Sequence, residues 1–187
     1  MGPKPFPFPL NVGTDICRIS RIFRVLAGRR ATRFVSRILT PEEIAAAPIA
    51  RPPLTLPTAL AAGYGLREGV DFSTLKKTYP DLWTQATFLA GRFAAKEATF
   101  KAHPSMRLSW HDIVIKRAHD VGGTQLDEEE RHGEDDEPRS PPNGSGPPIA
   151  VIRTGGKSTP GEEQTAMLSI SHDGDYATAV CLGYKSR

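Results

Sequence analysis

Two carboxylates stand where carboxylates are out of place. Asp15 falls within Leu10 to Cys17 (LNVGTDIC), where Leu10, Val12, Thr14 and Ile16 alternate with Asn11, Gly13, Asp15 and Cys17, the period of a strand. An acid is disfavoured mid-strand, and Gly13 removes a side chain from the same face, so open room is expected beside Asp15. The competing reading is an aspartate facing solvent at a strand end that caps the helix after it. Glu97 belongs to a helical pattern: stepping by four from Phe93 reaches Glu97 and then Lys101, so both charges continue the apolar stripe. A buried carboxylate is costly unless paired or bound to a cation. The alternative is an ordinary i, i+4 ion pair between Glu97 and Lys101.

His172, with Ser171 beside it, is read as lying in a turn where polar groups can converge on a site, or as a solvated turn histidine. His103, His111, His119 and His132 show no pair at metal-ligand spacing with a third ligand, which speaks against zinc. The sequence has no Walker loop, no Gly-x-Gly-x-x-Gly after a strand and no Gly-x-Ser-x-Gly elbow.

The elements that must position these groups follow from periodicity. After the first strand, Ile19, Ile22, Phe23 and Leu26 make a helical stripe flanked by Arg18, Arg21 and Arg24. Thr40-Pro41-Glu42-Glu43 reads as a helix start with a capping box. A long helix is expected over about Asp81 to Ala102, with Leu82, Ala86, Leu89 and Phe93 as its stripe and Ala90, Ala94 and Ala98 widening it. Strands are expected over Leu108 to Lys116, Ile149 to Thr154, Ala166 to Ser171 and Tyr176 to Leu182, with Ser171 to Asp175 as a hairpin turn. Ala47 to Thr58 is interrupted by prolines and reads as a loop or insert. Asp120 to Pro148 is charged, then rich in Pro, Gly and Ser, and is expected to be a disordered insertion.

With 187 residues and 39% hydrophobic content, one domain over residues 10–187 is expected, the proline-rich stretch 1–9 being dispensable. No stretch approaches the roughly 20 apolar residues of a membrane span, so no membrane partner is expected. The widely separated Cys17 and Cys181 support neither a zinc knuckle nor a disulfide framework, and an intracellular chain follows. Eight Lys or Arg stand against one acid from Met1 to Arg37, a balance that also suits a mitochondrial presequence; cytoplasm and mitochondrion both stay open. Net charge is +3, but removing the eight acids and one arginine between Asp127 and Glu137 leaves 23 basic against 13 acidic residues, a net of +10. Such a body attracts acidic partners.

Taken together, Val12-Gly13-Thr14-Asp15-Ile16 with Ile19 and Arg21, Arg92-Phe93-Ala94-Ala95-Lys96-Glu97-Ala98 with Lys101-Ala102, and Ser169-Ile170-Ser171-His172-Asp173 resemble the holo-acyl-carrier-protein synthase family of 4′-phosphopantetheinyl transferases. The resemblance implies an α+β fold with the long helix packed across an antiparallel sheet. It implies transfer of 4′-phosphopantetheine from coenzyme A to a serine of an apo acyl carrier protein, releasing 3′,5′-adenosine bisphosphate. Asp15 and Glu97 then stand as magnesium ligands and Lys101 as the cation steadying the coenzyme A phosphates. Arg21 becomes a phosphate or carrier contact, Arg92 and Lys96 basic residues on the coenzyme A side, and His172 the residue closing the site near the nucleotide. Either Glu97 or a water on the metal would take the serine proton.

The arginines Arg18, Arg21, Arg24, Arg29 and Arg30 would steer an acidic carrier. Small family members are homotrimers with sites between subunits, and the same assembly is expected here. Arg18 departs from the family, where an acid is common in bacterial members, and the stretches Pro48 to Lys77 and Asp120 to Pro148 look like insertions. Two other readings stay open: a magnesium phosphohydrolase or nuclease that uses the same carboxylates to activate water, and a nucleic-acid binder favoured only by charge. No nucleic-acid partner is expected.

Overall fold

The computed structural model describes residues 8–47, 71–121, 146–153 and 163–184. Its elements are β1 (Leu10–Arg18), α1 (Ile19–Leu26), α2 (Ala31–Ile38), α3 (Pro41–Ala46), α4 (Phe72–Thr78), α5 (Pro80–Ala102), β2 (Ile113–Arg117), a 3-10 turn (Ala118–Val121), β3 (Pro148–Arg153), β4 (Glu163–Asp173) and β5 (Tyr176–Tyr184). The five strands form one sheet in the order β1-β5-β4-β3-β2, each pair of neighbours antiparallel. α5 lies across it, giving the expected α+β architecture.

Small side chains on both surfaces let α5 settle close to the sheet. Ala86, Ala90, Ala94, Ala95, Ala98 and Ala102 are fully buried along the helix, and β5 answers with Ala177, Ala179 and Cys181. At Gly13 the approach reaches backbone contact: a Cβ there would lie 1.9 Å from the Ala98 carbonyl oxygen and 2.6 Å from the Ala102 nitrogen. The expected room beside Asp15 is therefore filled by α5, and Gly13 serves the crossing of strand and helix.

The apolar stripe of α1 is buried as expected, with Ile19, Ile22, Phe23 and Leu26 at 2% exposure or less. Phe23 packs 6.2 Å from Trp83 of α5. α3 opens with the expected capping box: the Thr40 Oγ1 accepts from the Glu43 backbone N–H, and the Thr40 N–H donates to Glu43 Oε2. α4 lies at the end of the stretch read as an insertion, capped by Asp71 and anchored by buried Leu75. Phe72 at its start stacks 6.1 Å from Trp83.

Three boundaries differ from expectation. The strand expected from Leu108 begins only at Ile113, because Asp112 Oδ2 accepts from the Ser109 N–H and closes a turn first. β4 and β5 run up to a two-residue turn, in which Gly174 takes a φ of 53°, a value glycine adopts without steric cost. His172 and Ser171 consequently lie within a strand and not in a turn. Arg117 pairs with Pro148, so the expected disordered insertion joins the two strands of one hairpin; most of it, like the proline-rich start and most of the 47–58 loop, lies outside the described residues.

The outer sheet face is unusually apolar for a surface open to water. Val12, Ile16, Met167, Val180, Leu182 and Tyr184 are all exposed there.

Candidate active site

Asp15 and Lys101 meet where β1 passes beneath the C-terminal half of α5. Asp15 sits on the helix-facing side of β1, opposite Ala179 of β5. The Lys101 ammonium donates to Asp15 Oδ1 at 2.8 Å and to the Thr14 carbonyl at 2.9 Å. An i, i+4 pair between Glu97 and Lys101 does not form; the lysine turns to the strand instead. Asp15 does not cap α1 either. That role falls to Asp175, whose Oδ1 accepts from the Ser20 N–H and whose Oδ2 accepts from the Ser20 hydroxyl, both at 2.7 Å.

Glu97, one turn before Lys101, has no hydrogen bond or ion pair among the described residues. Burial pushes its carboxyl pKa up, the Asp15 charge adds to the rise, and Lys101 and Arg21 oppose it. Four charged groups thus share one electrostatic neighbourhood. Arg21 reaches it from α1: its guanidinium rests 5.3 Å from the centroid of Phe93 and donates to the Cys17 sulfur at 3.7 Å. The cation on the aromatic face fixes the arginine's reach. Among the described residues no group of three or more His, Cys, Asp or Glu side chains is arranged to hold a metal ion.

Arg92, Lys96 and His172 are not part of this cluster. Arg92 precedes Glu97 by five residues, about 140° around the helix, and lies 4.9 Å over the Phe88 ring. It borders a cavity of about 690 Å³ lined also by Glu42, Phe88, Lys116 and Arg117. His172, in register with Ala177 and through it Cys17, lies against Gly91: a Cβ at that glycine would come within 2.8 Å of the imidazole Nε2. It borders a second cavity of about 480 Å³ together with Lys76, Trp83 and Phe88.

A family model described as the 4′-phosphopantetheinyl transferase superfamily matches residues 11–140. The chain belongs to that superfamily. It is 34% identical over 181 residues to 4′-phosphopantetheinyl transferase B, mitochondrial, of Aspergillus fumigatus, covering 95% of each chain. It is 31% identical over 173 residues to the holo-[acyl-carrier-protein] synthase of Geobacillus kaustophilus, covering 91% of this chain and 84% of the relative. The holo-ACP-synthase structure from Plasmodium yoelii shares the fold, with a TM-score of 0.50 at 21% identity and 95% coverage of each chain.

Against this transferase background, one expected substrate residue changes role. Lys96 is fully buried, and its ammonium donates to Glu43 Oε2 at 2.6 Å, the Ile38 carbonyl at 2.8 Å and the Trp110 carbonyl at 3.0 Å. All three N–H donors are spent inside the protein, so none is left for coenzyme A. Glu43 Oε1 accepts in turn from the Ile115 N–H. The pair ties α3, the loop after α5 and β2 to the helix that carries Glu97. Burial draws the Lys96 pKa down, with Glu43 opposing.

Sequence reasoning also missed the clamp at the hairpin tip. Beyond its contacts to Ser20, Asp175 accepts from the Ile19 N–H through its backbone carbonyl and pairs with Arg18 at 3.6 Å, while Arg18 donates to the Tyr176 hydroxyl at 2.7 Å. The start of α1, and with it Arg21, is held from the β4–β5 turn. The positive charge at Arg18 thus has an acidic partner within the chain. The Asp-Gly-Asp turn was readable in sequence; nothing local says which element it would cap.

Proposed function

We propose that this phosphopantetheinyl transferase carries out its reaction at the crossing of β1 and α5, with Asp15 and Glu97 as the magnesium ligands. The observation that carries the reading is the convergence of Asp15, Glu97, Lys101 and Arg21 on one spot. The donor set suits magnesium, which takes one or two carboxylates and fills its remaining positions with water and phosphate oxygens. Glu97 fits in a second way: a carboxyl whose proton is favoured by burial and then by a neighbouring carboxylate is relieved by a cation between the two. When bound, magnesium would stabilise the charge that builds on the pyrophosphate.

The substrates follow from the family and from the relatives' names: coenzyme A as donor and an acyl carrier protein as acceptor. The serine oxygen forms a bond to the β-phosphorus, the bond from that phosphorus to the bridging oxygen breaks, and 3′,5′-adenosine bisphosphate leaves. Lys101, already a donor in this spot, would hold a phosphate oxygen in the same manner. Arg21, fixed over Phe93, would meet a phosphate or the acidic carrier. Glu97 is the protein base at hand for the serine proton. The fungal relative's name favours the mitochondrion as compartment.

Arg92 and His172 support a further part of this reading. They lie on other flanks of α5 than Glu97, so one coenzyme A reaching both sets is most simply shared by two copies of the chain, as in a homotrimer. The exposed apolar outer face of the sheet offers such copies a surface to cover. Mixing two inactive variants, Glu97→Ala and Arg92→Ala, tests this: shared sites restore part of the activity, and self-contained sites restore none.

Transfer itself is tested against hydrolysis. Incubation with coenzyme A and magnesium should yield 3′,5′-adenosine bisphosphate only when an apo carrier protein is present, in step with a mass gain on the carrier. Release of the nucleotide without a carrier would favour a water-activating enzyme.

A further inference from the structure

Lys76 belongs to α4, at the end of the stretch that reads as an insertion, and no role has been assigned to it. α4 is held firmly in place by buried Leu75 and by Phe72 stacked on Trp83, and Phe72 also reaches the hairpin tip, 3.8 Å from a Cβ placed on Gly174. The helix thereby walls the 480 Å³ cavity bordered by His172, with Lys76 opposite the β4–β5 hairpin. Neither Lys76 nor His172 has a hydrogen bond or ion pair among the described residues, and both are exposed.

The other cavity differs in this respect. Its Lys116 is paired with Glu42, which also binds Arg153, and its Arg92 guanidinium, stacked on Phe88, leaves a buried Nε without a hydrogen bond. A lysine free to meet an anion therefore stands beside His172 and not beside Arg92. The hydroxyls of Thr84 and Thr87 in this cavity donate to the Pro80 and Trp83 carbonyls, and Asp173 is its one carboxylate. Trp83 and Phe88 supply aromatic wall.

Coenzyme A carries phosphate in two places, the pyrophosphate that reacts and the 3′-phosphate on the ribose. If the pyrophosphate sits with Asp15, Glu97 and Lys101, an unpartnered lysine and an unpartnered imidazole beside an aromatic wall match the other phosphate and its nucleoside. We infer that Lys76, with His172, binds the 3′-phosphate of coenzyme A, making α4 part of the nucleotide site. This rests on the transferase reading above and adds to it a residue from outside the motifs that carry the resemblance.

The test is calorimetric titration of the full chain with 3′,5′-adenosine bisphosphate and with 5′-ADP, which lacks the 3′-phosphate. Wild type, Lys76→Ala, Lys76→Arg and the neighbouring Lys77→Ala are compared. Loss of one charge-assisted contact should weaken the bisphosphate about ten-fold in Lys76→Ala, with binding of 5′-ADP changed less than about two-fold and Lys76→Arg and Lys77→Ala close to wild type. Equal weakening of both nucleotides, or of neither, in a variant with an unchanged unfolding midpoint overturns the assignment of Lys76. Failure of the wild type to bind either nucleotide overturns the coenzyme A reading itself.

Discussion

Replacing Lys96 by methionine should cost the protein much of its stability and leave its affinity for coenzyme A untouched. The side chain is fully buried and its partner Glu43 is 3% exposed, so the substitution keeps the aliphatic stem but strands a carboxylate in the interior. Glu43 would retain only the Thr40 and Ile115 N–H groups at 2.9 and 3.1 Å, and the Ile38 and Trp110 carbonyls would lose a donor. Removing one partner of a buried pair costs about 3–5 kcal/mol. At about 2–4 °C per kcal/mol for a chain of this size, the melting temperature falls by roughly 6–20 °C. Urea unfolding of Lys96→Met, Glu43→Gln and the double variant measures it, and the double variant should lose clearly less than the sum of the singles, because the two groups act as one unit. At a temperature where Lys96→Met is folded, its KM for coenzyme A should match wild type. A variant with unaltered stability and a selectively raised KM would refute the structural role and return Lys96 to the substrate.

Further outcomes follow from the same contacts. Lys101→Ala should leave the fold intact, since the side chain is half exposed, but lower the transfer rate about 10²–10³-fold in a steady-state assay. Gly13→Ala should destabilise by about 3 kcal/mol or more in urea, at the upper end of overpacking effects, because both clashing groups are helix backbone; a loss under about 1 kcal/mol would mean that the crossing gives way. Asp175→Ala should cost about 1–2 kcal/mol through the lost cap and raise KM for the carrier as the start of α1 loosens, whereas an unchanged KM would detach Arg21 from the clamp. Burial raises the pKa of the Cys17 and Cys181 thiols, so less thiolate is present at pH 8 than in a free cysteine; both should stay silent to a thiol reagent until urea unfolds the chain.

What was legible in the sequence was what strand and helix periods encode. Asp15 on an alternating run, and Glu97 and Lys101 at spacing of four, placed two acids and a cation on elements that meet, and the capping box at Thr40 was visible from four residues. The partner of each charge was not. Lys101 turns to Asp15 rather than to Glu97 four residues away, and Lys96 finds Glu43 across 53 positions, in a pairing set by how α3 docks on α5. The same blindness covers Gly13, whose missing side chain reads identically whether it opens a pocket or admits a helix. His172 was assigned to a turn because Asp-Gly-Asp follows it, yet β4 and β5 hold their register to the last pair. α4 went unseen in the stretch read as an insertion, although Asp71 caps it and Phe72 and Leu75 supply its apolar side.

Asp15 and Glu97 are proposed to hold together the magnesium used in phosphopantetheine transfer. Intact-mass spectrometry of an apo acyl carrier protein incubated with coenzyme A, across a series of magnesium concentrations, tests it with wild type, Asp15→Asn and Glu97→Gln. The prediction is a gain of one phosphopantetheine on the carrier that needs magnesium, with each folded variant demanding far more metal or giving no gain. Transfer by either variant at the wild-type rate and the wild-type magnesium dependence would contradict it.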